Sequence, residues 1–325
     1  MTSTRTALIL GATGSIGGEV ARQLAARGWK VCALHRDPAS LTNRDDRFDW
    51  IKGDAMNRQD VVAAADGSQL IVHAVNPPGY RNWAQLVLPM IDNTIAAAQK
   101  EGATIVLPGT VYNYGPDAFP LLTEDAAQRP LTRKGKIRVQ LEQRLHAATQ
   151  QGARAIVLRA GDFFGPQSGN NWFSMGLIKP GQAVKHINLP GDPGVGHQWN
   201  YLPDVAQTMV QLLNVREGLA PFSTFHMAGH WDADGRQMAA AIARCVEQAG
   251  GHAKQRAFPW WLTRLASPFM VTLRELMEMR YLWQQPLRMD NRRLLAVLGT
   301  EPHTPLAQAV EATLKGLGCL PQTDR

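Results

Sequence analysis

Three glycines near the N-terminus, Gly11, Gly14 and Gly17, constrain the fold of this chain more than any other feature. They stand between an apolar run at residues 6–10, typical of a buried strand, and an amphipathic stretch at 16–26, typical of a helix. In such a turn the first glycine permits a sharp bend, the second admits a phosphate close to the backbone, and the third lets helix and strand pack closely. The pattern therefore predicts a turn that binds the pyrophosphate of a dinucleotide.

Apolar runs alternate with helical patterns through the first half of the chain, which indicates a parallel sheet with right-handed crossovers. The predicted strands are residues 6–10, 30–34, 48–51, 70–75, 104–107, 155–158 and 225–228. The predicted helices are residues 16–26, 61–65, 84–99, 132–150, 203–213 and 236–248. We predict an α/β fold with a Rossmann-type, doubly wound parallel sheet and a smaller C-terminal substrate-binding region.

The alternation breaks at Gly161, beyond which glycine, proline, asparagine and aromatic residues become frequent. We therefore expect residues 1–160 to form an NAD(P)-binding Rossmann domain, with residues 200–230 returning to it. Residues 161–199 and 231–325 are expected to form the substrate-binding region.

Composition excludes several classes of protein. The 325 residues are 45% hydrophobic and 19% charged, no apolar run is long enough to span a bilayer, and no signal peptide is recognisable, so we expect a cytoplasmic protein. Cys32, Cys245 and Cys319 are widely separated, and the nine histidines lack metal-ligand spacing, so neither a disulfide framework nor a metal site is expected.

The formal net charge of +7 is spread along the chain, and its densest cluster is residues 133–138. A cofactor rich in phosphate explains that cluster better than nucleic acid, which needs a clustered basic stripe or a known module. We expect a small-molecule substrate as the partner, and the apolar C-terminal tail is compatible with a homodimer.

The end of the second strand bears on the choice of cofactor. A site selective for NAD usually places an acidic side chain on the ribose just past this strand, whereas here His35 and Arg36 come first. A guanidinium forms a bidentate pair with a 2′-phosphate, so Arg36 predicts that NADP(H) is preferred. In the alternative, Arg36 is merely solvated and Asp37 takes the ribose of NAD(H).

Together these segments resemble the extended short-chain dehydrogenase/reductase family, which includes the nucleotide-sugar epimerases and dehydratases. The glycine turn is similar to its cofactor turn, Gly53-Asp54 to its adenine contact, and His73-Ala74-Val75-Asn76 to the segment lining the cofactor. Arg159–Pro166 and Asn200–Ala206 resemble two further signatures. The cofactor-binding residues implied are Gly11, Thr13, Gly14, Ser15, Ile16, Gly17, Arg36, Asp54, Ala55, Ala74, Asn76 and Lys136.

The family's catalytic Ser/Thr, Tyr and Lys are matched incompletely. Alignment of Tyr114-Gly115 with the family's Tyr-Gly puts Thr110 at the catalytic hydroxyl. Lys136 takes the lysine position of Tyr-x-x-x-Lys, but Thr132 stands where the tyrosine is expected. A threonine hydroxyl is too weak an acid to replace a phenol, so the family's usual mechanism does not carry over whole.

Three replacements for the phenol remain open. In the first, Lys136 is buried and acts as the acid/base. In the second, Tyr112 or Tyr114 supplies a phenol from the loop after the fifth strand. In the third, the protein transfers no proton. Lys134 is a rival lysine if the register slips by two residues, and His197 is a further candidate acid. We favour Lys136 assisted by Tyr112.

These residues predict an NADPH-dependent reductase of a carbonyl or an activated double bond. The alternatives are a nucleotide-sugar epimerase or dehydratase, and a non-catalytic regulatory protein that senses NADP(H).

Overall fold

Two compact units make up the chain. The computed structural model describes residues 5–42, 45–77, 82–169 and 171–320. Unit 1 comprises Met1–Asn113, Gln128–Arg159 and Ala206–Phe225, and unit 2 comprises Tyr114–Ala127, Ala160–Val205 and His226–Arg325.

The strands and helices follow one another closely along the chain. The strands are β1 (Thr6–Leu10), β2 (Lys30–His35), β3 (Phe48–Lys52), β4 (Leu70–His73), β5 (Thr104–Gly109), β6 (Leu121–Leu122), β7 (Arg154–Arg159), β8 (Asp162–Phe164), β9 (His186–Leu189), β10 (His197–Tyr201), β11 (Phe222–His226), β12 (His230–Asp232), β13 (Lys254–Ala257) and β14 (Arg288–Met289). The helices are α1 (Ser15–Ala26), α2 (Arg58–Ala64), α3 (Trp83–Glu101), α4 (Arg133–Thr149), α5 (Leu202–Asn214), α6 (Gln237–Gln248), α7 (Trp260–Ala266), α8 (Val271–Glu278), α9 (Arg292–Leu298) and α10 (Leu306–Gly316).

A seven-stranded sheet in the order β11-β7-β5-β4-β1-β2-β3 forms the centre of unit 1. The strands from β3 to β7 pair in parallel. The strand order reverses between β1 and β4, so the carboxyl ends of these two strands flank the crevice in which such folds bind ligands. The predicted doubly wound α/β fold is confirmed.

Apolar strands and one face of each flanking helix build the core of unit 1. Leu8, Ile71 and Ile105 on neighbouring strands are fully buried and belong to one cluster with Ile91 of α3 and Leu141 of α4. The central strands β4 and β5 are buried on both faces, as expected where helices cover both sides of a parallel sheet, so they read as continuous apolar runs.

Two predicted strands have different limits in the structure. The fourth strand ends at His73 rather than at residue 75. The Ala74 N–H still donates to the Leu10 carbonyl, but the chain leaves the sheet after that bond. The last predicted strand, 225–228, is Phe222–His226, and the chain turns at Gly229, which has a φ of +53°.

Unit 2 is built around a small sheet in which β10 lies between the parallel β8 and the antiparallel β12. Phe164, Phe173 and Trp199 pack there in one buried cluster with residues of α6 and α10. Among the described residues, no helix is both long and apolar enough to cross a membrane.

A buried ion pair joins helix α4 to strand β7 in unit 1. The Arg159 guanidinium donates to both carboxylate oxygens of Glu142, and the side chains are only 1% and 6% exposed. A charge this deeply buried is tolerated only while its partner remains, because water cannot replace the partner.

Glu142→Gln therefore leaves the Arg159 charge buried without its counter-charge and should lower the free energy of unfolding by about 3–5 kcal/mol, as measured by urea denaturation. The control is Asp92→Asn, which removes an exposed pair with Arg144 and should cost less than about 1 kcal/mol. Equal losses in the two variants would contradict a structural role specific to the buried pair.

Candidate functional site

The glycine turn between β1 and α1 is packed too tightly for any side chain at two of its positions. Gly11 has a φ of +96°, and a Cβ there would lie 2.6 Å from the Ala74 carbonyl oxygen. A Cβ at Gly17 would lie 2.3 Å from the Gly11 carbonyl oxygen. Gly11 thus permits the turn, and Gly17 lets α1 approach β1 and the end of β4 closely.

The N-terminus of α1 suits an anionic ligand. Its N-cap is Gly14, which offers no capping side chain, and its first turn holds no acidic residue. The first N–H groups of a helix have no carbonyl partner within it, and its dipole adds partial positive charge there. Thr13 and Gly14 are exposed, and Ser15 and Ile16 are half-buried. This cradle fits a pyrophosphate held by backbone N–H groups.

The predicted adenine contact lies in a well-braced turn after β3. Asp54 Oδ1 accepts from the Met56 N–H at 3.0 Å, and the Asp54 N–H donates to Asp60 Oδ2 at 2.8 Å. The Ala55 carbonyl accepts from Asn93 Nδ2 of α3 at 2.9 Å. The structure therefore holds Asp54 and Ala55 in fixed positions, and their contact with adenine stays a prediction.

Both candidates for the cofactor's ribose are exposed just past β2. The Asp37 N–H donates to Nδ1 of His35 at 3.2 Å, and the His35 ring stands edge-on to Trp50. Arg36 and Asp37 face solvent at this point. Their placement is compatible with either ribose, so the preference for NADP(H) stays a prediction.

Helix α4 buries different cations from the one expected. Thr132 is the N-cap, and its hydroxyl oxygen accepts from the Gly135 N–H at 3.0 Å. Lys136 is exposed, whereas Lys134 and Arg138 are 4% and 6% exposed. The condition for Lys136 to act as the acid/base, its burial, is not met, because two residues along a helix turn the side chain by about 200°, onto the face opposite to Lys134.

The two buried cations lie beside the segment that follows β4. Arg138 Nη2 donates to Asn76 Oδ1 at 2.9 Å. Trp83, the first residue of α3, has Lys134 Nζ 5.9 Å and Arg138 Cζ 5.1 Å from its ring centroid, distances typical of cation–π contacts. Lys134, Arg138 and Asn76 are thus brought together, and Lys136 does not share their buried face.

A chain of buried and half-buried polar side chains connects the loop after β5 to α4. Thr110 Oγ1 donates to Asn113 Oδ1 at 3.2 Å, Asn113 Nδ2 to Gln128 Oε1 at 3.1 Å, and Gln128 Nε2 to Glu142 Oε2 at 3.2 Å. These bonds fix the orientation of Thr110. Whether its hydroxyl binds a substrate oxygen stays a prediction.

The two tyrosines proposed as replacements for the phenol lie in different units. Tyr112, in unit 1, is half-buried on the short 3₁₀ turn Val111–Asn113. Its carbonyl oxygen would lie 2.2 Å from a Cβ at Gly135, so a glycine is required there. Tyr114, in unit 2, is fully buried, and its hydroxyl lies 3.5 Å from Nε2 of His226.

His73, at the end of β4, is a neutral buried histidine. Its Nδ1 lies 2.8 Å from Thr94 Oγ1, and that hydroxyl donates to the Met90 carbonyl. Thr94 therefore accepts, and Nδ1 carries the proton. Burial, with a smaller contribution from the charge of Arg138, lowers the pKa of His73 to about 3.

His197, the candidate acid of unit 2, has a carboxylate partner. Its Nε2 lies 2.8 Å from Asp162 Oδ2, and its ring stacks on Trp283 with centroids 3.7 Å apart. A carboxylate hydrogen-bonded to one ring nitrogen fixes the orientation of an imidazole. No histidine of unit 2 joins a metal cluster within the described residues.

The sequence analysis did not identify Arg138 as a site residue, and it ranked Lys134 behind Lys136. The available signal was that Lys134 and Arg138 have the same i, i+4 spacing as Thr132 and Lys136. The contact that separates the two registers, Arg138 with Asn76, joins residues 62 positions apart and is invisible to local patterns.

The pKa of His73 makes stability depend on pH. The unfolded chain binds a proton near pH 6.5 and the folded chain only near pH 3, so stability is complete above about pH 6.5 and falls toward about pH 3. His73→Asn, which keeps a donor to Thr94, should remove about 2 kcal/mol of the loss between about pH 6.5 and pH 5.

The measurement is urea denaturation at several pH values. Burial also lowers the pKa of His230, to about 4, so part of the acid sensitivity should persist in the variant. His252→Asn, at an exposed position, is the control and should follow the parent chain. Parallel curves for His73→Asn and the parent would contradict a neutral, buried His73.

Comparison with known proteins identifies a family and a relative that this chain resembles. The family model described as "NAD dependent epimerase/dehydratase family" matches residues 7–252. The 3-diazoavenalumate denitrifying reductase of Streptomyces sp is 30% identical over 179 residues, which is 50% of this chain and 57% of that protein. The match thus spans little more than half the length of that relative.

Solved structures agree with the fold. The UDP-glucose 4-epimerase from Brucella ovis in complex with NAD has a TM-score of 0.73 at 14% identity, covering 97% of this chain and 99% of that one. A putative epimerase from Burkholderia cenocepacia J2315 has a TM-score of 0.73 at 16% identity, covering 97% and 98%. Because the family model covers most of the chain, this protein belongs to the NAD dependent epimerase/dehydratase family.

Proposed function

We propose that this protein is an NADPH-dependent oxidoreductase that reduces a carbonyl or an activated double bond of a small molecule. The observation that carries the proposal is the glycine cradle: Gly11 and Gly17 allow a close approach of strand and helix, and the N-terminus of α1, with a glycine N-cap and no acidic residue in its first turn, suits an anion. Membership of a family named for NAD dependence supports a nicotinamide dinucleotide as that anion.

Arg36 is the residue proposed to select NADPH. It is exposed at the carboxyl end of β2, where a guanidinium reaches a 2′-phosphate in a bidentate pair. The Brucella ovis neighbour was determined with NAD, so a preference for NADPH would distinguish this chain from that protein. The competing candidate is Asp37, whose carboxylate suits the ribose hydroxyls of NADH.

Reduction is preferred over sugar epimerisation because Thr132, the N-cap of α4, stands where the family has a tyrosine. An epimerase must first remove a proton from an alcohol, and Thr132 is both a weak acid and occupied as the helix cap. The name of the Streptomyces relative, a reductase, supports the same choice.

A nucleotide-sugar epimerase or dehydratase is the second candidate, supported by neighbours of the same fold that are named UDP-glucose 4-epimerases. A homodimer and a cytoplasmic location remain predictions. A regulator that only senses NADP(H) would bind the cofactor without turnover.

Fluorescence titration should give tighter binding of NADPH than of NADH. Arg36→Ala should weaken NADPH binding roughly tenfold or more while leaving NADH binding almost unchanged, because only the 2′-phosphate loses its charged partner. The control is Arg27→Ala, at the far end of α1, whose guanidinium donates to the Gln23 carbonyl. Tighter binding of NADH by the parent chain would contradict the assignment of Arg36.

Turnover distinguishes the candidate functions. The loss of NADPH absorbance with ketones, aldehydes, quinones and enones tests reduction, and interconversion of UDP-glucose and UDP-galactose tests epimerisation. We expect activity in the first assay only. Binding of NADPH with no activity in either assay would favour the sensing regulator.

A further inference from the structure

We propose that Lys134 and Arg138 form the catalytic pair of this site, with Lys134 as proton donor to the acceptor and Arg138 as its positioning residue. The inference rests on the proposed function and gives Lys134 the acid/base role that the sequence analysis favoured for Lys136. It deepens that function by naming the substrate class, acceptors that develop negative charge on oxygen as they are reduced.

The first step of the argument is location. Asn76 lies three residues past the end of β4, and β4 is one of the two strands at which the strand order reverses. Arg138 donates to Asn76, and Lys134 shares the Trp83 ring with it. The two cations therefore lie at the carboxyl edge of the sheet, where doubly wound folds bind the reactive part of their ligands.

The second step is exposure. Desolvated charges act on a bound ligand far more strongly than charges in water. Lys134 and Arg138 are almost fully buried, whereas Lys136 faces solvent. Only the first two combine burial with a place beside Asn76.

The third step is that the backbone fixes the direction of both side chains. Lys134, Arg138 and Glu142 are spaced i, i+4 and i+8, so they share one face of α4, and Glu142 is held by Arg159. At the helix start, Gly135 packs so closely on the Tyr112 carbonyl oxygen that a Cβ there would lie 2.2 Å from it. A positioned ammonium needs no rearrangement before it donates a proton.

The proposed step balances as follows. The carbonyl carbon of the acceptor gains a hydride, which NADPH supplies when bound. The π pair of the C=O bond moves to oxygen, and that oxygen takes a proton from Lys134 Nζ, giving an alcohol. Lys134 is reprotonated by solvent. Ketones, aldehydes and enones fit this chemistry, because an ammonium stabilises a developing alkoxide or enolate.

The test uses the dialdehyde of NADP⁺ made by periodate. The 2′-phosphate protects the adenosine ribose, so both aldehydes lie on the nicotinamide ribose. A lysine amine nearby forms an imine with loss of water, and borohydride reduces the imine to a stable secondary amine. Peptide mapping by mass spectrometry then identifies the labelled lysine without any need for turnover.

We expect the label on Lys134, with protection by NADPH and loss of labelling in Lys134→Gln. Lys136→Gln, the matched control two residues away, should be labelled like the parent. A label on Lys136, or an unlabelled protein that still binds NADPH, would overturn the proposal for Lys134. Absence of NADPH binding in the parent chain would instead overturn the proposed function itself.

Turnover and rescue test the two roles separately. With the best acceptor of the carbonyl panel, Lys134→Gln should lower kcat by about 100-fold or more, and Lys136→Gln should not. Arg138→Gln should slow labelling of Lys134 at saturating reagent, and Arg138→Lys should restore it, because a cation again reaches Asn76. Equal labelling in all three Arg138 forms would show that Arg138 only stabilises the fold.

Discussion

The buried ion pair between Glu142 and Arg159 sets the rotation of α4, and the rest of the candidate site depends on that rotation. Glu142 lies on the same face of α4 as Lys134 and Arg138. The ion pair that holds Glu142 in place therefore also sets the direction of these two side chains. The hydrogen-bonded chain through Gln128 to Asn113 ties the loop after β5 to the same carboxylate. Helix, loop and strand therefore hold their polar groups in one rigid arrangement.

A second constraint comes from close backbone approach. Gly11 and Gly17 allow α1 to pack against β1 and Ala74 without a Cβ between them. This contact brings the N-terminus of α1 to the carboxyl edge of the sheet, on the strand beside β4. The cradle for a pyrophosphate and the pair of buried cations thus lie at the same edge, as expected where the strand order reverses.

The sequence predicted the parts of the structure that depend on local pattern. Apolar runs and helical periodicity placed most strands and helices of unit 1 within a few residues, since both faces of the sheet are buried. The glycine turn was recognisable because each glycine has its own steric reason. The strand ends at His73 and Phe222 were missed because departure from a sheet depends on contacts with other segments.

The buried face of α4 could not be predicted from the sequence for the same reason. Two pairs on α4, Thr132 with Lys136 and Lys134 with Arg138, have the same spacing. The two pairs differ in the burial of their cations. Arg138 is buried against Trp83 and Asn76, which are far away in the chain. Thr132, which stands where a tyrosine was expected, is the N-cap of the helix.

A crystal structure of the protein with NADP⁺ tests the central claim most directly. We expect the pyrophosphate to bind the N–H groups of the first turn of α1. We also expect Lys134 Nζ to lie within about 3 Å of the position that an acceptor oxygen would take over the nicotinamide, or to reach that position through one water. A nicotinamide ring that contacts Lys136 and not Lys134, or a pyrophosphate away from the glycine turn, would contradict it.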